Sequence, residues 1–138
     1  ILSGLPADTE PEIERACEML LMLGVKCIAV SRGEKGCYYA DAKGNRMFRS
    51  LRPVERMVNA TGAGDAFLAG FAHGLVDGKP IAEQLDYALA SGITAILSLS
   101  TINPLMSDAL VCENMKLYRN KPIEPGKESE KQCNESNI

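Results

Sequence analysis

Between Ala63 and Val76 the chain has helical spacing, but one face of that helix carries no side chains. Phe67, Phe71 and Leu75 recur at steps of four, while Gly70 and Gly74 leave a bare strip. Such a strip lets a neighbouring element approach closely, so the fold has to bring one there. Gly78 and Pro80 end the helix. A second long helix follows over Ile81 to Leu99, with Ile81, Leu85, Ala88, Ile93 and Ile96 on one stripe. After Asn103-Pro104, the segment Ser107 to Tyr118 is predicted as a last helix.

Upstream, Ile13, Ala16, Cys17, Leu20 and Leu21 recur at spacings of three and four, which predicts an amphipathic helix over Glu10 to Leu23. Thr9 suits its N-cap, Pro11 its first turn and Gly24 its C-terminal stop. Lys26 to Ser31 is a short apolar run after a tight turn, the pattern of a strand buried on both faces of a sheet. Gly36 to Ala40 and Arg46 to Arg49 flank the turn residues Asp41, Lys43, Gly44 and Asn45, which predicts a hairpin. A third extended piece, about Val54 to Asn59, leads into the next helix. The order of elements predicts an α/β layered domain, with the hairpin making the sheet mixed.

A chain of 138 residues, 46% hydrophobic and 24% charged, matches an ordinary soluble globular domain. The net charge of −3 and the lack of a basic cluster argue against nucleic acid as a partner. No apolar run approaches the roughly 20 residues that span a bilayer, and the N-terminus has no signal-peptide pattern. A soluble, intracellular protein of the cytoplasm is expected, without membrane contact. The five cysteines include no C-x-x-C pair, so they suggest neither a disulfide framework nor a zinc site, and no metal ligands are assigned. Cys17 and Cys27 lie in apolar segments and are expected in the core, whereas the single histidine, His73, is expected on a helix surface. Residues 119–138 are polar, with little to bury, and are expected to form a disordered tail after a domain spanning 1–118.

The chemistry is concentrated in Asn59-Ala60-Thr61-Gly62-Ala63-Gly64-Asp65-Ala66-Phe67. Gly62 and Gly64 remove side chains where a phosphate could approach the backbone, and they open a helix whose free N–H groups and positive dipole end favour anions. Asp65 places a carboxylate beside that anion site. Backbone donors that hold a transferring phosphoryl group, next to a carboxylate that takes a hydroxyl proton, are what transfer to an alcohol requires. Glycines before a helix also simply make turns, and an acidic first turn also simply complements the dipole. A P-loop is excluded because Gly64 is followed by Asp65-Ala66 rather than Lys-Ser/Thr. A dinucleotide fingerprint is excluded because Phe67 stands at its third small position.

A second segment, Ser31-Arg32-Gly33-Glu34-Lys35-Gly36, begins at the end of the first strand, where ligands commonly sit in open α/β sheets. Ser31 offers a hydroxyl, Arg32 a cation, and Gly33 and Gly36 close backbone approach. A polar turn joining two strands accounts for the same residues.

The two segments, in this order and about 30 residues apart, resemble the C-terminal half of the ribokinase/PfkB carbohydrate kinase family over about residues 1 to 118. The family's D-T-x-G-A-G-D core stands here as Asn59 to Asp65, and its hydroxyl-x-Gly-x-x-Gly strand end as Ser31 to Gly36. The resemblance implies a ribokinase-like layered α/β/α sheet, mostly parallel with a β-hairpin. It implies Asp65 as catalytic base, Gly62, Ala63 and Gly64 as anion hole for the phosphates of ATP, and Ser31, Gly33 and Gly36 in the nucleotide site. Adenine would lie between that site and the later helix, near Ala88 to Ile96. Mg²⁺ is implied as the companion of ATP, with few or no direct protein ligands.

In many members an Asp stands where this chain has Asn59, near a site at which some bind a monovalent cation, so a potassium requirement does not carry over. The N-x-T-G-A-G-D-A run is similar to the pseudouridine kinase branch. The chain opens just after the family's central N-x-x-E motif, and members are considerably longer. The expectation is an ATP-dependent kinase for a sugar or nucleoside hydroxyl, with little turnover unless the missing N-terminal half or self-association completes it. The alternatives are a non-catalytic module that binds ATP or ADP and needs a partner chain, and a ligand-free structural fragment.

Overall fold

The computed structural model describes residues 3–119, so the expectation for the polar tail lies, beyond Arg119, outside the described residues. Its elements are α1 (Glu10–Met22), β1 (Cys27–Ser31), a single 3-10 turn (Gly33–Lys35), β2 (Cys37–Asp41), β3 (Arg46–Arg49), α2 (Ala63–Val76), α3 (Ile81–Ile96) and α4 (Asp108–Tyr118). Helix boundaries follow the capping residues. Thr9 precedes α1, where the Glu12 carboxylate accepts the Thr9 N–H at 3.0 Å, and the Ser107 hydroxyl accepts the Leu110 N–H at the start of α4.

The sheet has the order β1-β2-β3, with Ala29 opposite Tyr39 and Tyr38 opposite Phe48. Both pairings are antiparallel, unlike the mostly parallel sheet expected. The cause is local. The turn at Gly33–Gly36 reverses the chain directly after β1 and the Asp41–Asn45 turn reverses it again, so no crossover separates the strands. The strand buried on both faces is β2 rather than β1, whose ends are exposed, because β2 is the central strand. Cys27, expected in the core, is therefore exposed, whereas Cys17 is buried.

Alternate residues of β2 enter different layers. Tyr38 and Ala40 pack with Ile13 and Cys17 of α1, while Cys37 and Tyr39 pack with Phe67, Phe71, Leu85 and Ala88 of α2 and α3. The result is three layers, helix, sheet and helix pair, which is the α/β/α arrangement expected. On the far side α4 covers α3 through Val111, Tyr87 and Ala90.

The bare face of α2 is used against α3. A Cβ on Gly70 would lie 2.3 Å from the Ser91 hydroxyl oxygen and 3.1 Å from the Ala88 Cα, and one on Gly74 would lie 3.1 Å from the Gln84 Cα. Each glycine costs a helix roughly 1 kcal/mol relative to alanine, offset here by the close approach of the two helices. The sheet is also joined to α3 by an ion pair. Arg49 on β3 donates two hydrogen bonds, of 2.8 and 2.7 Å, to the buried Asp86 carboxylate, and the Arg119 guanidinium lies 3.3 Å from the same group.

Val54 to Asn59, expected to be extended, forms no strand. Its backbone donors go to a helix end instead, with the Val58 and Asn59 N–H groups both reaching the Ile96 carbonyl at 2.9 and 3.2 Å. That carbonyl is thereby occupied, and α3 stops at Ile96 rather than continuing to Leu99.

Two predictions concern this frame. Gly36 has φ of +87°, and a Cβ there would lie 2.0 Å from the Arg49 carbonyl oxygen. Gly36→Ala should therefore destabilise the protein by about 3 kcal/mol or more, against about 1 kcal/mol for Gly44→Ala, whose Cβ meets nothing within 4 Å. Denaturant unfolding of the two variants measures the difference. At Asp41, burial pushes the carboxyl up, but hydrogen bonds from Asn45, Tyr39 and Lys43 outweigh it and hold the group below the usual carboxylate range. This stabilisation is complete above the unfolded value of about 4 and is lost as pH falls through the lower folded value. The stability difference between the protein and Asp41→Asn should shrink as unfolding is measured from pH 7 down to pH 3.

Candidate functional site

A cavity of about 390 Å³ opens where the C-terminal end of β1, the β3–α2 loop, the start of α2 and the second half of α3 meet. Ser31, Gly33 and Gly36 line one side, and Ala63 and Gly64 line another. The two glycine segments, separate in sequence, thus share one space. Leu89, Gly92, Ile93 and Ile96 of α3 form a further wall, in the stretch expected to face adenine. Gly62 and Asp65 do not line the cavity.

The three glycines of the two motifs nearest the phosphate question differ in what they do for the protein. Gly36 is required by the strand pairing described above. Gly62 is the N-cap of α2 with φ of +84°, and its Cβ would lie 2.6 Å from the Thr101 carbonyl oxygen. Gly64 is different, because a Cβ there meets no protein atom within 4 Å and its φ is not positive. Its missing side chain relieves no clash within the described residues and leaves open space at the cavity wall.

The donors of this helix start are also informative. The Ala66 N–H reaches the Gly62 carbonyl at 2.9 Å and the Ala63 N–H reaches Ala60 at 3.5 Å. The Gly64 and Asp65 N–H groups have no acceptor among the described residues. The Asp65 side chain is exposed and has no hydrogen-bond or ion-pair partner among them either. It is therefore neither a cap nor part of a structural ion pair. Backbone donors and an uncommitted carboxylate adjoin one another in the first turn of α2.

Arg32, expected as a cation for the site, is directed elsewhere. Its guanidinium donates to the Glu10 carboxylate at 2.9 Å and lies over the Phe48 ring, 5.0 Å from its centroid. The cation that does line the cavity, Arg52, donates to the Leu117 carbonyl oxygen. Sequence reasoning missed the apolar contribution of the β3–α2 loop, where Leu51, Val54 and Met57 face the cavity. The available signal was the apolar set Leu51, Val54 and Met57 around Pro53, the last two of which fall in the segment expected to be extended. An apolar space with a few convergent polar groups is the usual form of a small-molecule site. Among the described residues no group of three or more His, Cys, Asp or Glu could hold a metal ion, and no helix is long and apolar enough to cross a membrane.

Comparison with known proteins gives this geometry a context. The model of the pfkB family carbohydrate kinases matches residues 1–108. The chain is 35% identical over 107 residues to the ribokinase of Arabidopsis thaliana, covering 78% of this chain and 28% of that protein. It is 32% identical over 111 residues to the pseudouridine kinase of Escherichia coli, covering 80% and 35%. It is also 29% identical over 90 residues to a 1-phosphofructokinase of Borreliella burgdorferi, covering 65% and 29%, so the matches do not single out the pseudouridine branch. The structure of the Arabidopsis thaliana ribokinase complexed with ribose and ATP superimposes with a TM-score of 0.76 at 34% identity, over 83% of this chain and 37% of that one. The chain thus spans about a third of the length of these relatives. With residues 1–108 matched and the layered fold shared, the chain belongs to the pfkB family of carbohydrate kinases.

Proposed function

We propose that this chain carries the nucleotide site and catalytic base of an ATP-dependent kinase that phosphorylates a hydroxyl of a sugar or nucleoside. The observation that carries the reading is the convergence of the Ser31–Gly36 turn, the Gly64 helix start and the α3 wall on one cavity. Its volume of about 390 Å³ lies in the range of small-molecule sites. The apolar wall of Leu89, Ile93 and Met57 suits a flat purine. The open space and unpaired N–H groups at Gly64 and Asp65 suit phosphate oxygens.

In the reaction, the acceptor hydroxyl oxygen forms a bond to the γ-phosphorus while the bond from that phosphorus to the ADP oxygen breaks. The hydroxyl proton passes to the Asp65 carboxylate. The Gly64 and Asp65 N–H groups, together with Gly62 and Ala63 that shape the turn, hold the phosphates in line and stabilise the charge that develops on them. Mg²⁺, when bound with the nucleotide, would neutralise phosphate charge; on this chain Glu34 lines the cavity and Asp65 adjoins Gly64 at the helix start. The Arabidopsis ribokinase and the E. coli pseudouridine kinase support ribose and pseudouridine as acceptors to compare, and the Asn59-Ala60-Thr61-Gly62-Ala63-Gly64-Asp65 run favours the latter.

Calorimetric titration with Mg²⁺-ATP and ADP tests the site. Binding should persist in Asp65→Asn, while phosphoryl transfer from labelled ATP, followed with the N-terminal half of the kinase supplied, falls about 10²- to 10⁴-fold. Loss of nucleotide binding in Asp65→Asn would remove the base assignment. Gly64→Ala should leave the melting temperature unchanged and weaken ADP binding about tenfold or more, because its methyl group enters ligand space rather than protein. A folded chain that binds neither nucleotide would end the reading.

A further inference from the structure

The helix start of α2 is held by more than its own turn. The loop that follows α3, residues 97–103, packs directly over it, with the Thr101 carbonyl oxygen against Gly62. That loop is itself anchored from below. The buried Asn103 amide donates to the Thr94 carbonyl at 2.9 Å and accepts the Leu105 N–H at 2.9 Å. Asn114 of α4 donates to the Thr94 hydroxyl at 2.9 Å. The loop is thus fixed to α3, with its Thr101 carbonyl oxygen against the glycine turn, and a side chain that reaches both would join them.

Asn59 is placed to do so. Its Oδ1 accepts the Thr61 N–H at 3.0 Å, and its Nδ2 donates to the Leu99 carbonyl oxygen at 3.4 Å. The orientation of the amide follows from its partners. A backbone N–H can only donate and a carbonyl can only accept, so the oxygen has to face Thr61 and the nitrogen Leu99. The family resemblance implies an Asp at this position in many members, near a site at which some bind a monovalent cation. A carboxylate would keep the Thr61 bond but would set a second oxygen against the Leu99 oxygen, an arrangement that needs a cation between them. The N–H₂ of Asn59 supplies positive hydrogen at that point instead, so the residues present do not fit a cation there.

We infer that Asn59 is a positioning residue whose side-chain amide clasps the glycine turn to the 97–103 loop and makes the clasp independent of monovalent cations. Its bearing on phosphoryl transfer rests on the function proposed above, but the clasp itself does not.

The test uses the full chain without nucleotide, in potassium chloride and in choline chloride at equal ionic strength. Hydrogen–deuterium exchange is followed at Thr61 and across 97–103, beside the thermal midpoint. The unaltered protein should give the same exchange and midpoint in both salts. In Asn59→Asp, exchange across 97–103 in choline should rise about fivefold or more, as for loss of one hydrogen bond, while Thr61, whose bond the carboxylate keeps, stays as protected as in the parent, and potassium should reverse the rise. Potassium-dependent protection in the unaltered protein would overturn the inference, with no variant needed. So would an Asn59→Asp protein as insensitive to both salts as its parent. A parallel ADP titration keeps the two readings apart, since a salt-insensitive clasp in a chain that binds no nucleotide counts against the kinase site alone.

Discussion

The close approach of α2 and α3 is the constraint on which the site depends. Gly70 and Gly74 allow α3 to come near enough for Ser91, Ala88 and Gln84 to occupy the space that side chains would have filled. This contact sets the angle at which the start of α2 meets the second half of α3, and these two segments form adjoining walls of the cavity. The sheet is then registered on the helix pair by apolar packing of Cys37 and Tyr39, and by the two-pronged Arg49–Asp86 pair. The Asp86 side chain is only 2% exposed, so removing Arg49 would leave a poorly compensated charge in the interior, a much larger loss than that of a surface ion pair. The helix pair holds the glycine turn and the ion pair holds the strand end opposite it.

The site itself divides between what the chain needs for folding and what it does not. Gly36 and Gly62 answer to backbone neighbours, and the protein cannot form its turns without them. Gly64 and Asp65 answer to nothing in the described residues, neither packing, capping nor charge pairing. Groups that a fold leaves uncommitted at a cavity edge are the ones a ligand can use. This contrast supports a chemical role for the second pair more strongly than the motif alone.

Much of the helical frame was legible because its signals are local. Thr9 and Gly24 mark ends by capping chemistry, and the bounds of α2 coincide with the segment read from its spacing. Strand placement in the sheet was less legible, since a short apolar run looks the same at an edge and in the centre. Cys27 and the burial of β1 were misjudged for that reason. The course of residues 54–59 depends on the Ile96 carbonyl, nearly 40 positions away, and no window of the sequence contains both. Arg32 illustrates the same limit. Its charge was legible, but its partner Glu10 lies 22 residues upstream and draws it off the cavity.

The position of Cys37 has a consequence for how the molecule's motions can be timed. Burial, with the nearby Asp86 carboxylate adding to it, pushes this thiol up to about 12, although Arg49 and Arg32 partly oppose the shift. A thiol so protonated and so enclosed is inert to alkylating reagents while the sheet stays closed on its helices. Cys27, exposed, and Cys112, half-buried, stand outside that layer. Cys37 is thus a built-in clock: its modification rate under native conditions reads how often the layer behind the cavity opens, separately from the fraying of the surface.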